Sequence, residues 1–289
     1  MNKDNRFCLI CQPKNRTLYW HQDPETKAIW CYCNKCDRGY SLESYCYQAD
    51  IDMLEFLKGD FYVQEAQPNE VSAQSWPARF IPLSDPRAEE GIAYIKEKRG
   101  LTLEGDMYYD IDRKGIVFPY YFGNHFVGAQ TRFIEPRIQS DGTPHKIDTL
   151  PGTRLGLLFY GWNQSRFVGN VKAVVVCEGA FNALSINQAL NLAYGGISNN
   201  PWRAIAASGS GASSHQREAL KELKDEGMKI IIAPDHDEAG QKMLGKYIES
   251  EVPTHWALPD TEGKDWNDIA KELGREAFAK HFISCVKKL

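Results

Sequence analysis

The chain lacks any hydrophobic run of the roughly eighteen or more residues that a membrane-spanning helix requires. Its first residues, Met1 to Arg6, also lack the apolar core of a secretory signal. A cytoplasmic protein with no membrane partner is therefore expected. Charge of one sign is scarce too. With 38 Asp and Glu against 34 Lys and Arg, the net charge of −4 gives no global attraction to nucleic acid. Any such binding has to rest on local placement. No G-x-x-x-x-G-K-[ST] loop occurs, which excludes a fused nucleotide-driven motor of ordinary sequence. Internal repeats and low-complexity tracts are absent. What is present is 289 residues, 43% hydrophobic and 25% charged, enough for one sizeable core plus a smaller module.

Two short β-branched runs end in carboxylates. Val174-Val175-Val176-Cys177 leads into Glu178-Gly179, and Ile230-Ile231-Ile232-Ala233-Pro234 leads into Asp235-His236-Asp237-Glu238-Ala239-Gly240. Runs without alternation read as strands buried on both faces, as in a parallel sheet covered by helices. Ligands of such sheets sit at the carboxyl ends of the strands, so Glu178, Asp235 and Asp237 are expected to converge. Two carboxylates about 4 Å apart repel by roughly 4 kcal/mol at an effective dielectric near 20. Bound Mg²⁺, with Mn²⁺ as its substitute, relieves that repulsion and implies phosphoryl transfer. Taken singly, Glu178 reads equally well as a helix cap, and Asp235 with Asp237 as a solvated turn. Occurring together, with Gly179 and Gly240 where a backbone must approach closely, they favour a metal. The Glu-Gly followed by Asp-x-Asp-x-Ala-Gly resembles the TOPRIM domain of bacterial-type primases, topoisomerases and certain nucleases, over about Val171 to Leu273.

Cysteines cluster at the other end. Cys8, Cys11, Cys31, Cys33 and Cys36 include two C-x-x-C knuckles, Cys8 with Cys11 and Cys33 with Cys36, which fit a structural Zn²⁺ ribbon. Zinc binding to such peptides is worth roughly 10 to 16 kcal/mol in apparent terms, enough to fold a module too small to be stable alone. Cys31 and His21 compete as ligands, and a disulfide framework is the poorer reading in a chain without a secretory signal. Cys46, Cys177 and Cys285 read as small buried residues. Tyr19, Trp20, Trp30, Tyr32, Tyr40, Tyr45 and Tyr47 crowd the same segment, as its core or as stacking platforms for unpaired bases beside Lys35 and Arg38. Phe7-Cys8-x-x-Cys11 followed by Tyr32-Cys33-Asn34-Lys35-Cys36-Asp37-Arg38-Gly39 resembles the zinc-binding domain of bacterial and phage primases, in the all-cysteine version found in phage. Tyr40 departs from that pattern, because an acid commonly follows the glycine.

Residues 60 to 78 lose periodicity and read as a tether. Beyond them, Ala88 to Gly100 reads as a helix closed by glycine. Gly115 to Tyr121 and His125 to Phe133 form a hairpin about Gly123-Asn124. Together with His145-Lys146, Leu150-Pro151-Gly152 and Leu158-Phe159-Tyr160-Gly161, this order resembles the basic subdomain preceding TOPRIM in bacterial-type primase polymerase domains, over about residues 77 to 165. That resemblance implies that Arg99, Arg132 and Lys146, and more weakly Arg154, hold template backbone and nucleotide phosphates. Arg gives a bidentate grip on phosphate and Lys a point charge. Each also reads as a solvated cation.

Ala204 to Ala207 reads as a further strand ending in Ser208-Gly209-Ser210-Gly211, a turn that either presents amides to phosphate or simply leads into a helix. Gly263-Lys264-Asp265-Trp266-Asn267-Asp268 resembles the segment that closes TOPRIM in phage and plasmid primases. It makes Asp265 a further candidate catalytic acid, with Asp268 a helix cap. The expected architecture is α/β with an α+β N-terminal subdomain: a zinc ribbon (1–60), a linker (61–76), the N-terminal subdomain of an RNA polymerase domain (77–168) and a TOPRIM subdomain with a parallel sheet flanked by helices (169–289). The resemblance implies a DNA primase. It would take single-stranded DNA and ribonucleoside triphosphates, with a replicative helicase on a separate chain. A TOPRIM nuclease or recombination mediator, and a non-catalytic DNA-binding adaptor, are the alternatives.

Overall fold

A computed structural model describes residues 8, 10, 18–22, 29–33, 38–53, 56, 64–65, 71–138, 142–162, 171–209 and 213–289. The chain divides into two compact units, Met1–Glu70 and Val71–Leu289. In the first unit, strands β1 (Leu18–Gln22), β2 (Ile29–Cys33) and β3 (Arg38–Ser41) pair antiparallel, and the two-residue β4 (Gln64–Glu65) adds parallel to β1. Period-two alternation turns Cys31 and Cys33 inward and leaves Trp30 and Tyr32 more than a third exposed. Helix α1 (Leu42–Ala49) starts where the Ser41 hydroxyl accepts from the Ser44 amide at 3.2 Å. Trp20, Tyr40 and Tyr45 are core, with Trp20 edge-on to Tyr45 at 5.2 Å, whereas Tyr47 stands 88% exposed. The expected aromatic cluster is thus split between core and surface. Of the expected zinc ligands, Cys8 and Cys33 are buried, as is their competitor Cys31. Cys11, Cys36 and the side chain of His21 lie outside the described residues.

The segment read as a tether is not uniform. Gln64–Glu65 belong to the first unit through β1. At its other end, the Gln74 amide donates to the Phe126 carbonyl at 2.8 Å, and the Trp76 ring lies 4.6 Å from Tyr108 and 4.8 Å from Phe126. Residues 61–63 and 66–70 lie outside the described residues.

The second unit holds two five-stranded sheets. One is antiparallel, ordered β5 (Phe80–Pro82), β6 (Tyr108–Asp110), β7 (Gly115–Phe122), β8 (His125–Ile138) and β9 (Pro144–Thr149). Gly123, at φ +57, makes the turn from β7 to β8. The other sheet is ordered β11 (Trp202–Ala206), β10 (Ala173–Cys177), β12 (Lys229–Ile232), β13 (His255–Trp256) and β14 (Lys287–Lys288), parallel except for β14.

Every residue of β10 is buried, because helices cover both its faces. Val175 and Cys177 share a core with α3 (Ala180–Ala193), α6 (Trp266–Leu273) and α7 (Arg275–Cys285), and Val174 and Val176 share another with α4 (Ser214–Asp225) and α5 (Glu238–Glu249). Each Val or Ile so buried contributes about 1.5–3 kcal/mol. Ile116, Phe118 and Tyr120 of β7 join the first of these cores, so the two sheets are welded into one body.

The helix expected over Ala88 to Gly100 is instead a short α2 (Glu89–Ala93) continued by a π-helical turn over Tyr94–Lys98. The Arg99 amide donates to the Tyr94 carbonyl at 3.2 Å. This five-residue spacing sets the Tyr94 hydroxyl beside the Arg99 guanidinium, which donates to it at 2.8 and 3.1 Å.

Candidate functional site

Adjacent parallel strands bring the acids to one edge. The register pairs Val176 with Ile232, and the Ala233 amide donates to the Val176 carbonyl at 2.9 Å, so Glu178 and Asp235 leave the sheet side by side. Gly179 starts α3 without any side-chain cap, so Glu178 does not serve as one. Asp237 caps α5, accepting from the Gly240 amide at 2.8 Å. Gly240 is required there: an added Cβ would run into the Asp235 carbonyl oxygen. Asp265 caps α6, accepting from the Asp268 amide at 2.7 Å, so Asp268 is not the cap. The loop carrying Asp265 is held by the His236 amide on the Lys264 carbonyl at 3.1 Å and by buried Trp266, whose indole donates to the Ala233 carbonyl at 3.1 Å.

Glu178, Asp235 and Asp265 line a cavity of about 260 Å³ together with Arg99 and with Gln130 and Arg132 of the antiparallel sheet. On β8, Gln130 and Arg132 share a face by alternation, and register sets Arg132 against Ile147 of β9. Ile147 lines the cavity, so its neighbour Lys146 takes the opposite face and stands exposed. Arg154, half-buried before the turn at Leu155–Leu157, and exposed Asp237 are not in the lining either. The Arg99 guanidinium lies 4.4 Å over the Phe181 ring, and the Arg99 carbonyl accepts from the Asn267 side chain at 2.8 Å. The half-buried Arg132 side chain has no partner among the described residues.

Burial pushes the Asp235 carboxyl up to about 8, reinforced by the charges of Asp265, Glu178 and Asp237 and opposed by a hydrogen bond from Asn182. Burial, then Asp237, raises Glu178, and burial likewise raises Asp265. One oxygen of Glu178, Oε2, is buried without a hydrogen-bond partner among the described residues. An orphaned carboxylate oxygen beside mutually repelling acids fits a hard divalent cation. Among the described residues no three metal-type ligands close into a ready cage. Mg²⁺ is usually held by one or two carboxylates with water and substrate phosphates, so an open arrangement suits it.

Two contributors escaped the sequence reading. Buried Asn182 donates to Asp235 at 2.6 Å and accepts from the Asn267 amide at 3.0 Å, while the Asn267 side chain donates to Ser185 at 2.9 Å. A signal was available: Asn182, Ser185 and Gln188 form a polar stripe three residues apart on α3, and all three are buried.

Residues 175–270 match a family described as Toprim-like. No curated protein matches the chain significantly. Among solved structures, the RNA polymerase domain of the Mycobacterium tuberculosis primase DnaG is similar at a TM-score of 0.51 and 16% identity, covering 72% of this chain and 79% of that one. A DnaG catalytic core is similar at 0.50 and 17%, covering 72% and 76%, and a DnaG primase catalytic domain bound to ssDNA at 0.50 and 18%, covering 72% and 75%. The chain therefore carries a Toprim-like segment within a mixed α/β fold that it shares with primase catalytic cores.

Proposed function

We propose that the chain is a DNA-dependent RNA primase, making short primers on single-stranded DNA. The observation that carries this reading is the cavity that Glu178, Asp235 and Asp265 share with Arg132, a side chain without a partner among the described residues. Glu178 and Asp235, with Asp237 and Asp265 nearby, would hold one or two Mg²⁺ ions. When bound, Mg²⁺ would lower the cost of deprotonating a primer 3′-hydroxyl and of placing charge on the attacked α-phosphate. Asn182 fixes the orientation of Asp235 through its 2.6 Å bond. Arg132, free to engage an anion, is the natural grip for the triphosphate, and Arg99 presents a second, pre-oriented cation. Lys146 and Arg154, outside the cavity, are left for the template backbone.

The N-terminal unit would bind Zn²⁺ through Cys8, Cys11, Cys33 and Cys36 and help to choose the start site. The chain would work beside a replicative helicase on a separate chain, in the cytoplasm of a bacterial cell and as the product of a phage or plasmid. Incubation with single-stranded DNA, all four ribonucleotides and Mg²⁺ tests the reading. Short RNA supports it, cut DNA would assign a nuclease instead, and neither would leave a DNA-binding adaptor.

A further inference from the structure

Arg99 follows the π-helical turn, far in sequence from the Toprim-like segment, yet two residues of that segment hold it. Its guanidinium lies 4.4 Å over the Phe181 ring and donates from Nη1 to Asn267 Oδ1 at 3.4 Å. Asn267 Nδ2 meanwhile donates to the Arg99 carbonyl at 2.8 Å and to the Ser185 hydroxyl at 2.9 Å. One buried amide thus grips the same arginine by main chain and by side chain. The partners fix its orientation. Reversing the amide would set donor against the guanidinium and acceptor against the carbonyl. Aspartate in its place would lack the donor, and an aliphatic side chain would lack both groups.

Among the described residues, every group that holds the guanidinium is neutral: the Tyr94 hydroxyl, the Asn267 amide and the Phe181 ring. Arg99 therefore lines the cavity fixed in place but with its charge undischarged. A side chain ordered before binding loses less freedom when it meets its ligand. We propose that Asn267 is the positioning residue of Arg99, fixing the guanidinium in advance so that its full charge meets a phosphate of the incoming ribonucleoside triphosphate. The proposal rests on the polymerase reading above. Asn267 acts through Arg99 and not through the acids. Its link to Asn182, and so to Asp235, runs through its backbone amide, which any residue other than proline retains.

The full chain is titrated with ribonucleoside triphosphates in Mg²⁺, comparing wild type with Asn267→Ala, Arg99→Ala and the double variant. Asn267→Ala should bind triphosphate roughly 10-fold more weakly, the loss expected for a hydrogen bond involving a charged group. The double variant should bind no more weakly than Arg99→Ala, because a residue that acts through another adds nothing once that other is gone. Binding of Mg²⁺ without nucleotide should be unaltered in Asn267→Ala. Gln188→Ala is the structural control: its buried amide likewise holds the chain after Arg99, by the Thr102 amide at 2.9 Å and the Glu104 carbonyl at 2.9 Å, but does not line this cavity. It should melt lower yet bind triphosphate as wild type does. Should Asn267→Ala fail to fold, the isosteric Asn267→Asp serves, and it too should bind triphosphate at least 10-fold more weakly, since its carboxylate would neutralise the guanidinium. Wild-type triphosphate affinity in the folded Asn267 variants, losses that simply multiply in the double variant, or an equal loss in Gln188→Ala each overturns the proposal. A wild type that binds triphosphate but makes no RNA removes the polymerase reading and leaves the positioning role, and one that binds no triphosphate overturns both.

Discussion

Asp235 is the residue on which the site turns. Its carboxyl is pushed up to about 8 by burial and by three neighbouring acids, against an unfolded value near 4. A carboxyl raised by folding stabilises the fold fully below the unfolded value, and that contribution is lost as pH rises through the folded one. Glu178 and Asp265 shift in the same direction. Metal-free protein should therefore melt at progressively lower temperature between pH 5 and pH 8.5. The gain on adding Mg²⁺ should be larger at pH 8.5, where protons no longer compete. Asp235→Asn should flatten the metal-free profile, and scanning calorimetry across that window decides it: stability rising with pH would remove the electrostatic account.

For catalysis, Asp235→Ala should abolish RNA synthesis in a protein that remains folded. Asn182→Ala should lower activity or metal affinity by roughly 10- to 100-fold, the usual effect of losing a group that orients a metal ligand. Arg132→Ala should raise the KM for nucleotide or template while moving the melting temperature little, because the side chain has no partner to lose among the described residues. Steady-state kinetics of the folded variants separate these outcomes.

At the scale of elements, what was legible followed from strict local periodicity. The runs at Val174 and Ile230 announced strands with both faces covered because they never alternate, and Gly123-Asn124 announced the hairpin because few other pairs make that turn. What was not legible depended on how elements meet. Alternation on β9 guarantees that Ile147 and Lys146 take opposite faces, yet only the docking of the two sheets decides that Ile147 faces the cavity. Asp237 is drawn off in the same way, since capping α5 holds it at the exposed helix start. The π-helical turn before Arg99 likewise has no signature in a run that reads as ordinary helix.

Gly240 carries the element-scale prediction, because α5 approaches Asp235 so closely that no side chain fits between them. Gly240→Ala should destabilise the protein by about 1–3 kcal/mol, the range for overpacking, and reduce activity by displacing Asp235. Denaturant unfolding of the variant at wild-type stability would show that the approach is not tight.

At the scale of the whole molecule, the division between Glu70 and Val71 separates two kinds of chemistry. Each proposed Mg²⁺ ligand and phosphate-binding cation lies after it, and each proposed zinc ligand lies before it. The second unit has extensive cores of its own, drawn from both its sheets. The first has a small core built on Trp20, Tyr40 and Tyr45, of a size at which bound metal usually decides whether a module folds. A chain beginning at Val71 should therefore fold alone and keep some Mg²⁺-dependent extension of a supplied RNA primer, while losing sequence-dependent initiation. The full-length protein should contain one zinc per chain, and Cys33→Ser should lose that zinc and reproduce the behaviour of the truncation. Metal analysis and primer mapping on a panel of templates check both. Start-site choice that survives in the truncated, zinc-free protein would place template reading in the second unit and leave the first to be explained by another role.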